Sequence, residues 1–334
     1  MDAPPGWVVA VGAASVSALG AWAFAALQAA RRPRVLCLMY HRVAEREAWL
    51  RTRGTERVFT LPADAFEAQI QRLVGRGFSF VGTRDVAAFA RGERDLPHRS
   101  VLLTIDDGCA SAHREMLPIL KRHGASAALF VTTDPASAIF RVGGATERRL
   151  TDDEIRELAA AGFDVGSHAV SHRPLSAMSD DEIRRELVDS KRELERVLAK
   201  PVVDFAVPAN WFDERVLRIA REVGYATVFC SRPDTVRRGS GPLGIPRVNI
   251  EGQLDLRGFD RAISPAGVAQ RRLVAAVRGW PKRALGPRRW TALRTTLLRG
   301  AAGRWLSPSR MATAAGVAVA LGLVVTLLWL AGRG

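Results

Sequence analysis

Acidic residues are missing from the last part of this chain, and cysteine and histidine are scarce throughout. The 334 residues include three cysteines and six histidines, and no histidine follows His172. An odd number of cysteines without a spacing pattern excludes a complete disulfide framework and favours buried free thiols. Positions 261–334 contain 13 Lys or Arg and no Asp or Glu, so residues 1–260 carry 36 basic and 34 acidic groups. Because the main region is nearly neutral, the composition argues against a nucleic-acid partner.

Charge is also absent from two long runs near the ends of the chain, residues 3–30 and 311–332. Each run exceeds the ~20 residues that span a bilayer. We expect transmembrane helices within 1–33 and 311–334, with a cleaved signal peptide as the alternative for the first. Basic residues follow the first run and precede the second. The positive-inside rule therefore predicts a membrane protein whose central region faces the cytoplasm, with an extracytoplasmic location as the alternative.

Residues 263–310 combine arginine with Trp, Leu and Val, and they include Trp280, Trp290 and Trp305. This pattern predicts a basic, amphipathic juxtamembrane segment in which residues 271–310 contact anionic lipid headgroups. A solvated basic linker is the alternative, because Pro281 and Pro287 interrupt any helix. The expected domains are therefore an anchor at 1–33, a main domain at 34–262, this segment at 263–310 and a second anchor at 311–334.

Strand-like and helix-like stretches alternate over some 200 residues of the main domain. "RVLCLMYHRV", "SVLLTIDDG" and "FDVGSHAVSH" are typical of buried strands, whereas "PADAFEAQIQRLVGRG" and "SDDEIRRELVDSKRELERVLAK" have helical periodicity. Regular alternation predicts a parallel sheet, open or closed into a barrel. In such folds the functional residues collect at the carboxyl ends of the strands.

Two polar motifs lie at predicted strand ends. Asp106 and Asp107 end "LLTIDDG", and His168 and His172 lie four residues apart in "GSHAVSH". One aspartate and two histidines form a three-ligand metal set that leaves positions open for water and substrate. The second aspartate is then free to take a proton from water. Taken separately, the first motif is also compatible with a simple turn and the second with chance spacing.

The two motifs together resemble the polysaccharide deacetylase, or NodB-homology, family of carbohydrate esterases. The resemblance runs from about Arg34 to Ile250 and includes "LMYHRV", "LPILKRHGASAALFV", "ELVDSKRELE", "FAVP" and "IPRVNI". It implies an α/β fold, a distorted (β/α) barrel with fewer than eight strands, here flanked by the two expected transmembrane helices. It also implies a divalent metal, commonly Zn²⁺ with Co²⁺ or Ni²⁺ as alternatives, and hydrolysis of an N-acetyl group on an amino sugar.

The resemblance assigns a role to each motif residue. Asp106 matches the general base, and Asp107, His168 and His172 match the metal ligands. The backbone N–H of Ala209, after the motif proline Pro208, matches the donor to the oxyanion. The arginine that often braces the base is absent from its usual motif, and Arg247 in "IPRVNI" is its expected substitute.

The general acid does not come from the usual motif, because many family members take it from a C-terminal histidine that this chain lacks. His41 ends the first predicted strand, and some branches of the family carry a Tyr-His there and use it as the acid. We expect His41 to deliver the proton to the leaving nitrogen. The alternative is that His41 only hydrogen-bonds a loop carbonyl.

The sequence thus predicts a metal-dependent hydrolase that removes N-acetyl groups from the amino sugars of a polysaccharide or glycolipid. A related alternative is a deformylase or deacetylase of a lipid-linked amino sugar at the cytoplasmic membrane face. From another class of protein, the alternative is an inactive, membrane-anchored glycan-binding module.

Overall fold

The computed structural model describes residues 34–134, 136 and 140–276. The strands of this part of the chain are Arg34–Tyr40 (β1), Arg42–Ala44 (β2), Thr60–Pro62 (β3), Ser79–Phe80 (β4), Ser100–Ile105 (β5), Ala128–Val131 (β6), Arg141–Val142 (β7), Ala145–Thr146 (β8), Asp164–Ser167 (β9), Asp204–Ala206 (β10), Thr227–Cys230 (β11), Val236–Arg237 (β12), Leu243–Pro246 (β13) and Val248–Asn249 (β14).

Helices connect most of these strands. The α-helices are Arg46–Arg51 (α1), Gly54–Val58 (α2), Ala63–Gly75 (α3), Thr83–Arg91 (α4), Leu117–Arg122 (α5), Asp152–Ala160 (α6), Asp180–Leu198 (α7), Glu214–Glu222 (α8) and Leu256–Ile263 (α9). A π-helical turn, Ala112–Met116, precedes α5, and 3₁₀ turns lie at Leu175–Ala177 and Pro208–Asn210.

One sheet forms a nearly closed barrel. Its strands follow the order β12-β1-β5-β6-β9-β10-β11-β13, with β4 paired to β5 and β14 paired to β1. Neighbouring strands are parallel except for β12 against β1. Only Arg247 separates β13 from β14, so the chain passes there from one edge of the sheet to the strand β1 near the other edge. The (β/α) barrel that the family resemblance implied is confirmed. Its sheet has ten strands in the described residues instead of fewer than eight, because the two-residue strands β4, β12 and β14 add to it.

The buried strands follow from their sequences. All six residues of β5 are buried, as are six of the seven in β1, because both faces of the parallel sheet are covered. On α3, Phe66, Ile70 and Leu73 form the apolar stripe that the periodicity predicted, and each is fully buried. Since the stripe recurs at helical spacing, one face of α3 packs onto the sheet.

Local capping explains where the longest of these helices begins. The Ser179 hydroxyl accepts a hydrogen bond from the Glu182 N–H at 3.3 Å, and the Glu182 carboxylate accepts one from the Ser179 N–H at 2.8 Å. This reciprocal pair satisfies backbone donors that the first turn of α7 would otherwise leave without partners. The predicted helix start at Ser179 is thus confirmed.

The three cysteines behave as predicted. Cys37, Cys109 and Cys230 are all buried, and all are free thiols. Burial raises the pKa of the Cys37 and Cys109 thiols to about 12, so both remain protonated at neutral pH.

The expected transmembrane helices require a correction. Within residues 34–134, 136 and 140–276, no helix is both long and apolar enough to cross a bilayer. The two flanking membrane helices in the expected fold class, and the cell-membrane localisation that depended on them, are therefore not supported. Both expectations relied on uncharged runs, and absence of charge alone does not establish a helix. The segments 1–33 and 311–334 lie outside the described residues, as do positions 277–310 of the expected lipid-contacting segment.

By its internal contacts the chain divides into two compact units, Met1–Val268 and Ala269–Gly334. The first contains the whole barrel. Of the second, only residues 269–276 are described, and they are helical. The domain boundaries expected from the sequence remain predictions.

Close packing between neighbouring strands makes Gly166 of β9 intolerant of a side chain. A Cβ there would lie 2.7 Å from the Asp204 carbonyl oxygen and 2.7 Å from a ring carbon of Phe130. We expect Gly166→Ala to lower the free energy of unfolding by about 1–3 kcal/mol, because the barrel wall must shift to admit the methyl group. Urea denaturation measures this loss.

The matched control is Gly75→Ala at the end of α3, where a Cβ would meet nothing within 4 Å. This variant should be neutral or slightly stabilising. Equal stability of the two variants would contradict the packing argument.

Candidate active site

The two adjacent aspartates lie at the carboxyl end of β5, where the backbone turns sharply. Asp107 and Gly108 have φ angles of 79° and 76°. Asp tolerates this left-handed conformation better than most residues, and at Gly108 a Cβ would lie only 2.9 Å from the Val131 side chain. The turn leaves both carboxylates almost fully buried, each residue being 2% exposed.

Arg247 holds Asp106 through both carboxylate oxygens. Its Nη1 donates to Oδ1 at 2.6 Å and its Nη2 to Oδ2 at 2.8 Å, while Nη1 also reaches the Thr104 hydroxyl at 3.1 Å. Arg247 is completely buried at the β13–β14 junction. Burial alone would raise the pKa of Asp106, but the Arg247 and His168 side chains outweigh it and the pKa is lowered. The structure therefore brings Arg247 to the carboxylate that the sequence expected it to brace.

Asp107 is held differently, through one oxygen only. Arg42 donates from Nη1 to Oδ2 at 2.9 Å, whereas the buried Oδ1 has no hydrogen-bond partner. That Oδ1 lies 3.4 Å from His172 Nε2 and 3.8 Å from His168 Nε2. Burial would raise the pKa of Asp107, yet its contact with His172 and the nearby His41, His168 and Arg42 lower it. Asp107 is thus an ionised carboxylate with one oxygen directed at two imidazoles.

His168 directly follows β9 and is fixed at both its backbone and its ring. Its N–H donates to the Val131 carbonyl at 2.8 Å, and its Nδ1 lies 2.7 Å from the Ala206 carbonyl oxygen. A carbonyl oxygen only accepts, so Nδ1 carries the proton and Nε2 faces Asp107 with a free lone pair. Burial lowers the pKa of His168 to about 4, which keeps the ring neutral at pH 7.

His172 is presented by a short loop that Glu186 organises. The Glu186 carboxylate, on α7, accepts the Val170 and Ser171 N–H groups at 2.9 Å each, and it also accepts the Ser171 hydroxyl. His172 has a φ of 53°, and its side chain is 25% exposed. This loop conformation brings the second imidazole back toward the first, with ring centroids 5.1 Å apart.

The Asp107, His168 and His172 ligand atoms fit a single metal ion. All three lie within 4.8 Å of one another. Ligands at ~2.0–2.2 Å from a tetrahedral ion are about 3.4 Å apart, close to the 3.4 and 3.8 Å separations from Asp107 Oδ1. The partnerless buried Oδ1 and the free Nε2 lone pair are donors that a cation would satisfy. Nitrogen and oxygen donors in this number suit Zn²⁺ and its divalent neighbours.

His41 and Ala209 lie at the same end of the barrel. His41 follows β1 directly, its Nδ1 is buried without a hydrogen-bond partner, and its ring packs against Phe59 at 4.7 Å between centroids. Burial lowers the pKa of His41, opposed by the charges of Asp107 and Asp106. The alternative role of His41 was a hydrogen bond to a loop carbonyl. Nδ1 makes no such bond, so the structure does not support that role at this atom.

Ala209 lies in a tight turn after β10. Ala209 and Asn210 have φ angles of 50° and 58°, and the Trp211 N–H donates to the Pro208 carbonyl at 3.2 Å. The Asn210 side-chain oxygen accepts the Ser231 N–H at 2.9 Å, which ties the turn to the end of β11. Two successive left-handed residues turn the backbone amides of this loop away from a strand-like direction.

Arg42 and Glu186 are the functional candidates that sequence reasoning missed. Both lie in stretches that carry the family resemblance, "LMYHRV" and "ELVDSKRELE", yet neither has a catalytic residue type in a recognisable pattern. Their partners, Asp107 and the 170–171 loop, are 65 and about 15 residues away along the chain. For Arg42 the available signal was a charged residue beside an apolar strand, which alone does not identify a partner. Glu186 gave no such signal, because it lies on a helix with many charged residues.

Part of the chain is similar to known proteins. The family model "Polysaccharide deacetylase" matches residues 93–228. YxkH of Bacillus subtilis, which is named after polysaccharide deacetylases, is 22% identical over 213 residues, or 64% of this chain and 70% of YxkH. The peptidoglycan-N-acetylglucosamine deacetylase of Bacillus cereus is 24% identical over 143 residues, or 42% of this chain and 61% of that enzyme.

The fold also matches a solved structure. The Streptococcus pyogenes deacetylase PplD, determined in complex with acetate, superposes with a TM-score of 0.60 at 22% identity, covering 70% of this chain and all of that one. The family match, the barrel and the site are those of a polysaccharide deacetylase-like hydrolase. The resemblance drawn from the sequence is therefore confirmed, and the family model matches residues 93–228.

The lowered pKa of His168 predicts how the stability of the metal-free protein depends on pH. In the unfolded chain this histidine takes up a proton near pH ~6.5, whereas the folded ring stays neutral until pH about 4. Its contribution is therefore complete above pH ~6.5 and is lost as the pH falls toward 4. Between pH 7 and pH 5 we expect a loss of about 2 kcal/mol from this residue.

Urea unfolding of the chelator-treated protein at the two pH values measures the loss. The control is His168→Gln, which keeps a polar side chain but cannot titrate, and its loss between pH 7 and pH 5 should be smaller by about that amount. Identical losses in both proteins would show that the folded ring does not resist protonation.

Proposed function

We propose that this chain is a metal-dependent hydrolase that removes N-acetyl groups from the amino sugars of a polysaccharide. The observation that carries the proposal is the convergence of Asp107 Oδ1 with the Nε2 atoms of His168 and His172 beside the arginine-held Asp106. The name of the Bacillus cereus relative, which specifies N-acetylglucosamine in peptidoglycan, supports this substrate class.

Asp107, His168 and His172 would hold the metal, with Zn²⁺ the first candidate and Co²⁺ or Ni²⁺ the alternatives. When bound, such an ion supplies Lewis-acid chemistry for the hydrolysis of an amide. The tautomer of His168, set by its hydrogen bond to the Ala206 carbonyl, directs the Nε2 lone pair at the site. This set leaves room for water and substrate, as a catalytic site requires.

Asp106 is the proposed general base. Its Oδ2 lies 3.9 Å from His168 Nε2. The Asp106 carboxylate is therefore next to the proposed metal ligands but is not one of the three. Arg247 keeps the carboxylate ionised at neutral pH and fixes its orientation, because both oxygens accept hydrogen bonds from one rigid guanidinium. An ionised, immobile carboxylate is suited to take the proton from an attacking water.

The Ala209 N–H is the proposed donor to the oxyanion of the tetrahedral intermediate. Its turn is held by the Trp211–Pro208 hydrogen bond and by the Asn210 side chain, so the amide does not need to reorganise during the reaction. Val207 is fully buried and Ala209 has only a methyl side chain, so neither can stack on a sugar ring.

His41 is the proposed general acid. Because its pKa is lowered, the ring of the resting protein is neutral at pH 7 and must gain a proton before it can donate one. The charges of Asp106 and Asp107 favour the protonated ring. We propose that the proton removed from water by Asp106 passes to His41 and from there to the leaving nitrogen, which could not depart as an amine anion.

Neither alternative function is favoured by a specific observation. A lipid-linked substrate was expected from the membrane helices, and those are not supported. An inactive glycan-binding module would not need an ionised base and a partnerless ligand oxygen beside two imidazoles, and such perturbed groups are typical of active sites.

Acetate release from N-acetylated glycans tests the proposal. We expect the protein loaded with Zn²⁺ or Co²⁺ to release acetate from peptidoglycan or from N-acetylglucosamine oligomers. His168→Ala and His172→Ala should lose both metal and hydrolysis, because each removes one of three ligands. Asp106→Asn should keep the metal and lose hydrolysis, because the amide cannot accept a proton.

The control for these variants is His123→Ala, which removes a partly exposed histidine that contacts Glu67 at 3.1 Å on the surface. It should behave as wild type in both assays. Near-normal turnover by Asp106→Asn would contradict the assignment of the base, and full metal retention by both histidine variants would contradict the ligand set.

The role of His41 makes a separate prediction. His41→Ala should reduce turnover by about 10²–10⁴-fold while metal content and folding stay normal, because a positioned acid contributes on that scale. A variant that keeps wild-type turnover would show that another group, or water, protonates the leaving nitrogen.

A further inference from the structure

Asp106 and Asp107 are neighbours in sequence and equally buried, yet their carboxylates are held in different ways. Arg247 occupies both oxygens of Asp106, whereas Arg42 occupies only Oδ2 of Asp107. Oδ1 of Asp107 is consequently the one carboxylate oxygen of the pair that has no hydrogen-bond partner. The two arginines therefore leave Asp107, but not Asp106, with an oxygen free of hydrogen bonds.

The position of Arg42 is determined independently of Asp107. Its backbone N–H donates to the Phe59 carbonyl at 3.1 Å, and Nη2 donates to Glu56 at 2.8 Å. Its guanidinium carbon lies 4.1 Å from the centre of the Phe140 ring, in a cation–π contact. The Arg42 side chain is 1% exposed. Its guanidinium lies between the Asp107 and Glu56 carboxylates and the face of the Phe140 ring.

The geometry restricts how Asp107 can bind a cation. A carboxylate binds a metal through one oxygen or through both. An oxygen that accepts a charge-assisted hydrogen bond from a buried guanidinium is not free to rotate toward a metal, because the guanidinium would be left without that partner. Oδ1, at 3.4 and 3.8 Å from the two imidazole nitrogens, has no such constraint.

We infer that Arg42 is a positioning residue that makes Asp107 a ligand through Oδ1 alone. This inference rests on the metal site proposed above. A carboxylate that takes one coordination position instead of two leaves the others to water and substrate, which amide hydrolysis needs. Phe140 contributes by stacking on the guanidinium, and it also meets His172 edge-on at 6.5 Å between centroids.

Co²⁺ titrated into the metal-free protein tests the inference, because its visible spectrum reports the number of coordinating atoms. We expect Arg42→Gln to bind Co²⁺ but to show a weaker absorption band shifted to shorter wavelength, as Asp107 contributes both oxygens. With the glycan substrate, the cobalt-loaded variant should turn over about 10–100-fold more slowly, the scale typical of residues that support metal ligands.

The matched control is Arg184→Gln. It removes another arginine–carboxylate contact, 2.6 Å to Glu222 between α7 and α8, at a site where the arginine is 45% exposed. Its cobalt spectrum should equal that of wild type. Since a purely structural loss would lower thermal stability without changing the spectrum, both variants are also compared by thermal unfolding.

A second variant covers the case in which Arg42→Gln does not fold. Glu56→Ala removes the other partner of the guanidinium at a position whose side chain is 29% exposed, and it should shift the spectrum in the same direction by less. A wild-type spectrum in every folded variant would overturn the role of Arg42. Failure of the wild-type protein to bind Co²⁺ at all would instead overturn the proposed metal site.

Discussion

Two adjacent carboxylates buried at the carboxyl end of one strand are the constraint on which this structure depends. Ionised groups removed from water cost several kcal/mol each unless cations and hydrogen bonds compensate them. Asp106 and Asp107 are each 2% exposed and both have lowered pKa values, so their surroundings favour the ionised form despite burial. The fold does so with the guanidiniums of Arg42 and Arg247 and the imidazoles of His168 and His172, which come from three other parts of the chain.

The closure of the barrel brings Arg247, the group most distant from the aspartates in sequence, to the site. Arg247 is the single residue between β13, which pairs with β11, and β14, which pairs with β1. It is 141 residues from Asp106 in sequence and contacts it at 2.6 Å. The same residue joins β13 at one edge of the sheet to β14 beside β1, and it neutralises the proposed base. A barrel left open at this junction would leave Asp106 buried without its counter-ion.

Much of the fold could be predicted from local patterns. The apolar stripe of α3, the cap at Ser179 and the buried run of β5 each follow from spacing within a few residues, and all are present. The Asp pair and the His pair could be expected at one site because strand ends of a parallel sheet meet at one edge, whereas their roles followed from the family resemblance. The prediction of membrane helices by the same local reasoning was wrong. It relied on uncharged runs alone, without information on the structure around them.

The amino-acid sequence by itself determined the β–α alternation, the burial of the three thiols and the presence of the Asp pair, the His pair and Arg247 at one site. Only the tertiary structure decided that Arg42 binds Asp107 through one oxygen, that Arg247 binds Asp106 through two, and that Glu186 holds the loop before His172. The physical reason is one of range. Periodicity and capping act over a few residues, whereas the hydrogen bonds that give each carboxylate its role join side chains 65 and 141 residues apart, at distances that the packing of the closed barrel sets.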